Sequence, residues 1–268
     1  MSKLQSSIYA IRTMDELALG DSGVHMLHPT AKLLTVLIFI ISVASTGRYE
    51  VVGLVPMAFF PIVYFAASEV PVSVIARRVA VVLPFILLLG IFNPLFDAQP
   101  VLVGGVELAR GWLTFFSLFI KGVLTVTAAL LLIATTGMER LAMAFRQLRV
   151  PRILVLQILL TYRYISVLLE EANNTITAYA LRAPKQKGVH YRVWGSLAGQ
   201  LLLRTYDRAQ RLHTAMCLRG FDGEYRTGRA ARLRSADILF LAGWSAFFIA
   251  ACVFNIPGIL GALFAGTF

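Results

Sequence analysis

Few side chains in this sequence have the type and spacing for chemistry, and two arginines come first. Arg182 lies within "ALRAP" (180–184) and Arg219 within "TAMCLRGFDG" (214–223), each among small or apolar residues at the end of an amphipathic stretch. A guanidinium fork can engage carboxylates bidentately. The small neighbours, Ala180 and Ala183 at one site and Ala215 and Gly220 at the other, leave room for such a fork to enter a partner's groove. The plainer reading is two C-terminal caps, because the helix macrodipole favours a cation there by about 0.3–1 kcal/mol. A cap accounts for the charge but not for the small neighbours.

Other candidates are weaker. His25 and His28 stand three apart with Asp21 nearby, a set that could in principle hold a divalent cation, but a histidine pair at a membrane entry reads more readily as interfacial, and no metal ligand is assigned. His213 is expected to be a packed histidine on an apolar helix face, and Asn93–Pro94 a helix-ending turn. Lys121 falls inside an apolar run. A central lysine costs about 2.5–3.5 kcal/mol on insertion scales, so it must snorkel or face a polar interior or another subunit. Cys217 and Cys252 form no C-x-x-C pair and suggest neither a disulfide framework nor zinc. The apolar runs offer no paired carboxylates and no Ser/His pair, which weighs against an intramembrane enzyme. The chain also lacks a G-x-x-x-x-G-K-[ST] phosphate loop, so no ATP site is expected in it.

The elements that must position these residues follow from composition. Of 268 residues, 58% are hydrophobic and 15% charged, the balance of an integral membrane protein. A span needs roughly 20 mainly apolar residues. The candidates are 31–47, 51–68, 79–96, 111–136 and 238–266, giving about five transmembrane helices in an all-α membrane protein. Residues 1–30 lack the apolar core and small-residue cleavage site of a removable signal, so the N-terminus is expected to stay on the protein.

Seventeen of the 25 lysines and arginines but only seven of the 14 acids fall in 139–237, which therefore carries +10 of the net +11. Basic residues flanking spans mark the cytoplasmic side, so the N-terminus and 139–237 are expected inside, with Arg48, Arg110 and the C-terminus outside. The expected organisation is an N-terminal cytoplasmic segment 1–30, helices over 31–138, a cytoplasmic helical domain 139–237 and a last span 238–268. The basic "YRTGRAARLRSAD" directly precedes a span and reads as an orientation signal touching anionic lipid headgroups rather than as a nucleic-acid patch.

Within 139–237, a step of about 100° per residue sorts two helices. In 196–220, Arg204, Arg208, Arg211, Ala215 and Arg219 share one face, and Leu202, Tyr206, Ala209, His213 and Met216 the other. In 153–183 the apolar stripe is Ile165, Leu168, Ala172, Ile176 and Tyr179. Pro184 should end the first helix just after Arg182, and Gly220 should cap the second just after Arg219.

These residues carry a resemblance. "GDSGVHMLHPTAKLL", "FNPLFD", "RYISVLLEEANNTITAYALRA" and above all "RTYDRAQRLHTAMCLRGFDG" resemble the transmembrane T component of energy-coupling factor transporters, in the CbiQ-like branch associated with cobalt and nickel uptake. The resemblance spans nearly the whole chain and implies a non-catalytic scaffold in the cell membrane. Its cytoplasmic coupling helices would dock through Arg182 and Arg219 into two ATP-binding cassette ATPases, which would hold the ATP, and a separate membrane subunit would bind substrate. Leu181 and Leu218 stand where the strict family motif has alanine. The apolar face through Tyr206, Ala209 and Met216 is expected to pack on the other coupling helix or on the substrate subunit, leaving the arginine face toward the ATPases. Rival readings are a self-sufficient ABC-type permease or channel, and a scaffold serving a vitamin-binding subunit.

Overall fold

A computed structural model describes residues 13–47, 51–96, 100–103, 106–182, 189–223 and 233–253. After a helical turn at 13–18, the elements in chain order begin with α1 (Pro29–Ser45), a 3₁₀ turn (Val52–Leu54), α2 (Val55–Ser68) and α3 (Val72–Phe96). A hairpin of β1 (Pro100–Val103) and β2 (Val106–Ala109) follows. The rest is α4 (Arg110–Thr136), α5 (Met138–Gln147), α6 (Arg152–Arg182), α7 (Tyr191–Leu218) and α8 (Ser235–Val253). The hairpin pairs antiparallel, Pro100 opposite Ala109, and is the one departure from an all-α membrane fold among the described residues. The chain divides into two compact units, one of 17–137 with 231–268 and one of 1–16 with 138–230.

In the first unit, α1 packs on α4 and α8, and α3 on α4. Pro29 suits the first helical position, where its fixed φ fits and its missing N–H is not needed. His28 caps the same end, its Nδ1 accepting from the Thr30 N–H at 3.2 Å. Asp237 is 3% exposed, and its two oxygens join two helix starts. Oδ1 accepts from the His28 N–H at 2.8 Å and Oδ2 from the Arg234 N–H at 2.7 Å. The second bond is the reciprocal half of a capping box at the start of α8.

Lys121 faces polar backbone atoms of its own unit, the interior alternative, with partners that the sequence left unnamed. Its Nζ donates to the carbonyls of Thr46 and Gly47, at 2.7 and 3.2 Å, just past the end of α1. Lys32, fully buried on α1, donates in turn to the Thr135 carbonyl in the last turn of α4 at 2.9 Å. The two helices therefore run antiparallel, each supplying an ammonium to the other's C-terminal end. Those ends hold orphan carbonyls and the negative pole of the helix dipole, and both favour a cation. Each lysine stands 14 residues from the capped position on its own helix, about 21 Å at 1.5 Å per residue. Thr135 is fixed further, since its Oγ1 bonds Tyr64 Oη at 2.8 Å and donates to the Leu131 carbonyl.

The turn expected at Asn93–Pro94 is corrected: α3 starts at Val72, takes in Arg77 and Arg78, and runs through Pro94 to Phe96. The backbone there lies hard against α4, where a Cβ on Gly111 would meet the Asn93 oxygen at 2.5 Å. Gly122 likewise admits Ile86, whose Cδ1 would be 2.9 Å from an added Cβ. Small residues permit this approach in a membrane, where packing contributes more than water exclusion. Beyond the seam, Phe39, Phe60 and Phe248 are fully buried with ring centroids 4.8 to 5.4 Å apart, and Trp244 meets Phe60 edge-on at 4.8 Å.

Among the described residues, four helices are long and apolar enough to cross a membrane: Val72–Pro94, Arg110–Thr136, Arg152–Arg182 and Ser235–Cys252. This set differs from the expected five. The first two expected spans are helices of 17 and 14 residues, about 26 and 21 Å against a hydrocarbon core of about 30 Å. Conversely, α6 qualifies although it lies in the segment read as cytoplasmic, because its opening stretch, "ILVLQILL", is apolar at every position but Gln157.

Candidate functional site

The predicted arginines both lie in the second unit. There Tyr162 Oη donates to Asp15 at 2.6 Å, tying α6 to the N-terminal turn. The helix α6 ends at Arg182, and both Leu181 and Arg182 are exposed. Ala183 and Pro184, read as part of the same motif, lie outside the described residues, as does most of the basic tail before α8.

The end of α7 is fully defined. Arg219 is the C-cap, with φ −91° and ψ 10°, and Gly220 follows at φ +80°, in the left-handed region open to a residue without Cβ. The Gly220 N–H donates to the Cys217 carbonyl and the Phe221 N–H to the Met216 carbonyl, both at 3.0 Å. This is a Schellman motif, and Phe221 and Met216 line the same cleft. Gly220 caps α7 as the sequence implied, and a Cβ there would meet nothing within 4 Å. Arg219 and Ala215 are exposed.

Tyr206, Ala209 and Met216 line a cleft of about 470 Å³ between α7 and α6, opposite Leu156, Leu160 and Leu168. A smaller apolar hollow continues between Ala172 and Ile176 on α6 and Trp194 and Leu197 on α7. The expected apolar stripes do face one another, but the seam stays open: Tyr206 is 61% and Leu202 69% exposed. His213, expected to be packed, is exposed at the rim of this cleft, with Cys217 Sγ 3.8 to 3.9 Å from its ring nitrogens.

The arginine face is divided. Arg204 Nη1 meets Glu171 Oε1 on α6 at 3.2 Å, and Arg208 Nη2 lies 3.8 Å from Glu171 Oε2. Part of the face expected to point outward is thus spent on a cross-helix ion pair, which the sequence reading missed. Glu170–Glu171 could have signalled it, since a carboxylate facing a basic helix edge seeks a partner. Such an exposed pair contributes at most about 1 kcal/mol.

The histidines read as possible ligands have other tasks. His25 Nδ1 bonds Ser22 Oγ at 2.6 Å and its Nε2 bonds the Leu17 carbonyl at 3.0 Å, while His28 is the α1 cap. Among the described residues, no three His, Cys, Asp or Glu side chains converge as a metal group.

The family model for CbiQ, cobalt transport protein, matches residues 20–228, an interval that includes both arginine-bearing helix ends. The chain belongs to the CbiQ family. Among its relatives, the protein MJ1089 of Methanocaldococcus jannaschii is 31% identical over 255 residues, covering 88% of this chain and 91% of that one. The energy-coupling factor transporter transmembrane protein EcfT of Bacillus selenitireducens is 28% identical, covering 78% of this chain and 83% of its own. The cobalt transport protein CbiQ of Salmonella typhimurium is 27% identical, covering 53% and 69%. The chain is a multi-pass membrane component of an energy-coupling factor transporter in the cobalt and nickel branch, and CbiQ-family members are transport components rather than catalysts.

Proposed function

We infer that this CbiQ-family chain is the scaffold through which two cytoplasmic ATP-binding cassette subunits drive a separate substrate-binding membrane subunit that takes up cobalt or nickel across the cell membrane. The observation that carries the reading is the pair of exposed arginines at the ends of two long helices in one unit, Arg182 closing α6 and Arg219 capping α7. A cation on an exposed helix end with small neighbours is placed to enter a carboxylate-bearing groove, and a rigid rod behind it transmits a push. ATP closure of the two ATPases would move both rods. The open apolar cleft at Tyr206, Ala209 and Met216 would then relay the movement to the substrate subunit. ATP belongs to the partner subunits in this reading, and the N-terminus and the arginine-bearing unit face the cytoplasm.

The test is the double variant Arg182→Ala with Arg219→Ala. Truncating one side of a buried, hydrogen-bonded charge pair costs about 2–5 kcal/mol, so the ATPases should no longer co-purify and metal uptake should cease. Full uptake by the double variant would refute docking through these arginines. A purified complex holding one copy of this chain, two ATPases and one further membrane protein supports the scaffold. A homodimer that transports solute unaided supports the permease alternative, and loading of the further subunit with a vitamin supports that variant of the scaffold.

A further inference from the structure

The geometry points to a second recognition element at each helix end: the leucine that precedes the arginine is an apolar anchor for the same ATPase. This inference rests on the docking proposed above and names what else that contact requires of its partner. Leu181 is 77% and Leu218 84% exposed, among the most exposed large hydrophobic side chains of the structure. Both occupy the same place, the helical residue directly before a terminal arginine, in two stretches that share Thr-Ala and Leu-Arg at the same spacing: "TAYALRA" and "TAMCLRG". Neither leucine lines the cleft between α6 and α7, so packing within the unit does not explain them.

Water exposure of one large aliphatic group is ordinary. Two, each beside an arginine in the last turn of a long helix, form a repeated pattern that a partner with two equivalent sockets would read. The occupant is therefore the ATPase pair, each member offering a shallow apolar pocket rimmed by carboxylates, the complement of a leucine with an adjoining guanidinium. Small flanking residues let the socket close on the helix end, and at Gly220 even an added Cβ would meet nothing within 4 Å. Such an anchor is the hot-spot arrangement, an apolar side chain in a desolvated pocket with a charge at its edge.

The experiment uses the full chain in lipid nanodiscs and the ATPase pair that co-purifies with it, titrated at two salt concentrations. Fully burying a leucine is worth about 10- to 100-fold in Kd. Leu181→Ala and Leu218→Ala should each weaken binding by about 10-fold and together by about 100-fold, with the salt dependence unchanged, because no charge is altered. Leu181→Met with Leu218→Met should stay within about 3-fold of the parent, since volume and apolarity are kept. Exposed leucines leave the fold intact when shortened, which an unchanged helical circular dichroism signal would check. Parental affinity in the double alanine variant, with binding lost in the double arginine variant, would overturn the anchor and leave docking standing. Parental affinity in both would overturn docking itself.

Discussion

At the residue scale, the chemistry is that of hydrogen-bonded helix ends. Asp237 serves two N-termini with one carboxylate. Asp237→Ala should therefore lower stability by about 1–3 kcal/mol, the range for leaving buried donors unpaired. A thermal melt of the detergent-solubilised chain would read this as a lowered midpoint, and Asp237→Asn, which keeps an acceptor, should recover part of it. Gly220 offers a complementary case. Its φ of +80° is costly for any L side chain while the space around it is open, so Gly220→Ala should cost about 1–2 kcal/mol through backbone strain alone. The expected readout is fraying of the last turn of α7, seen as faster amide exchange at Met216 to Phe221, with weaker ATPase binding because Arg219 loses its fixed place. Unchanged exchange there would contradict a strained cap.

At the element scale, the two buried-end lysines explain why helices of unequal length share one seam. The short α1 ends beside the middle of α4, so its last carbonyls would face hydrocarbon without an ammonium to meet them, and Lys121 meets them. Lys32→Met and Lys121→Leu should each destabilise the chain by about 1–3 kcal/mol in denaturant titrations. The capped ends lie about 21 Å apart along α1, so the two losses should add within about 0.5 kcal/mol. Strong coupling between them would indicate that the two ends are not independent. In α6 the same scale accounts for a missed feature. Its periodic stripe was legible, but the apolar density of "ILVLQILL" extends around two whole turns, which a reading of opposite faces overlooks.

For the whole molecule, the cationic segment and the apolar one are separate compact units, consistent with a chain that works in two media. The native thiols test the proposed sidedness. Cys217 is exposed in the arginine-bearing unit, so in a Cys252→Ser background a membrane-impermeant maleimide should label it in inside-out vesicles and not in right-side-out ones. Labelling from the outside would invert the orientation. Vesicles holding the purified chain alone should show neither ATP hydrolysis nor cobalt uptake, both appearing only with the ATPases and the substrate subunit present.

Much was determined by the sequence alone. Apolar runs and charge placement required a helical membrane protein with a basic segment, and the motifs around Arg182 and Arg219 carried the family. The end of α7 was legible because Gly220 acts locally, through φ and steric limits that depend on adjacent residues. What only the tertiary structure decided is long-range: that Lys32 reaches Thr135, that Lys121 closes α1, that Asp237 joins residues 209 positions apart, and that Glu171 draws in Arg204 and Arg208. Each is a polar group whose partner is chosen by which helix ends happen to meet. A buried donor or acceptor must find a mate, but periodicity along one helix carries no record of the carbonyl that another will bring to it.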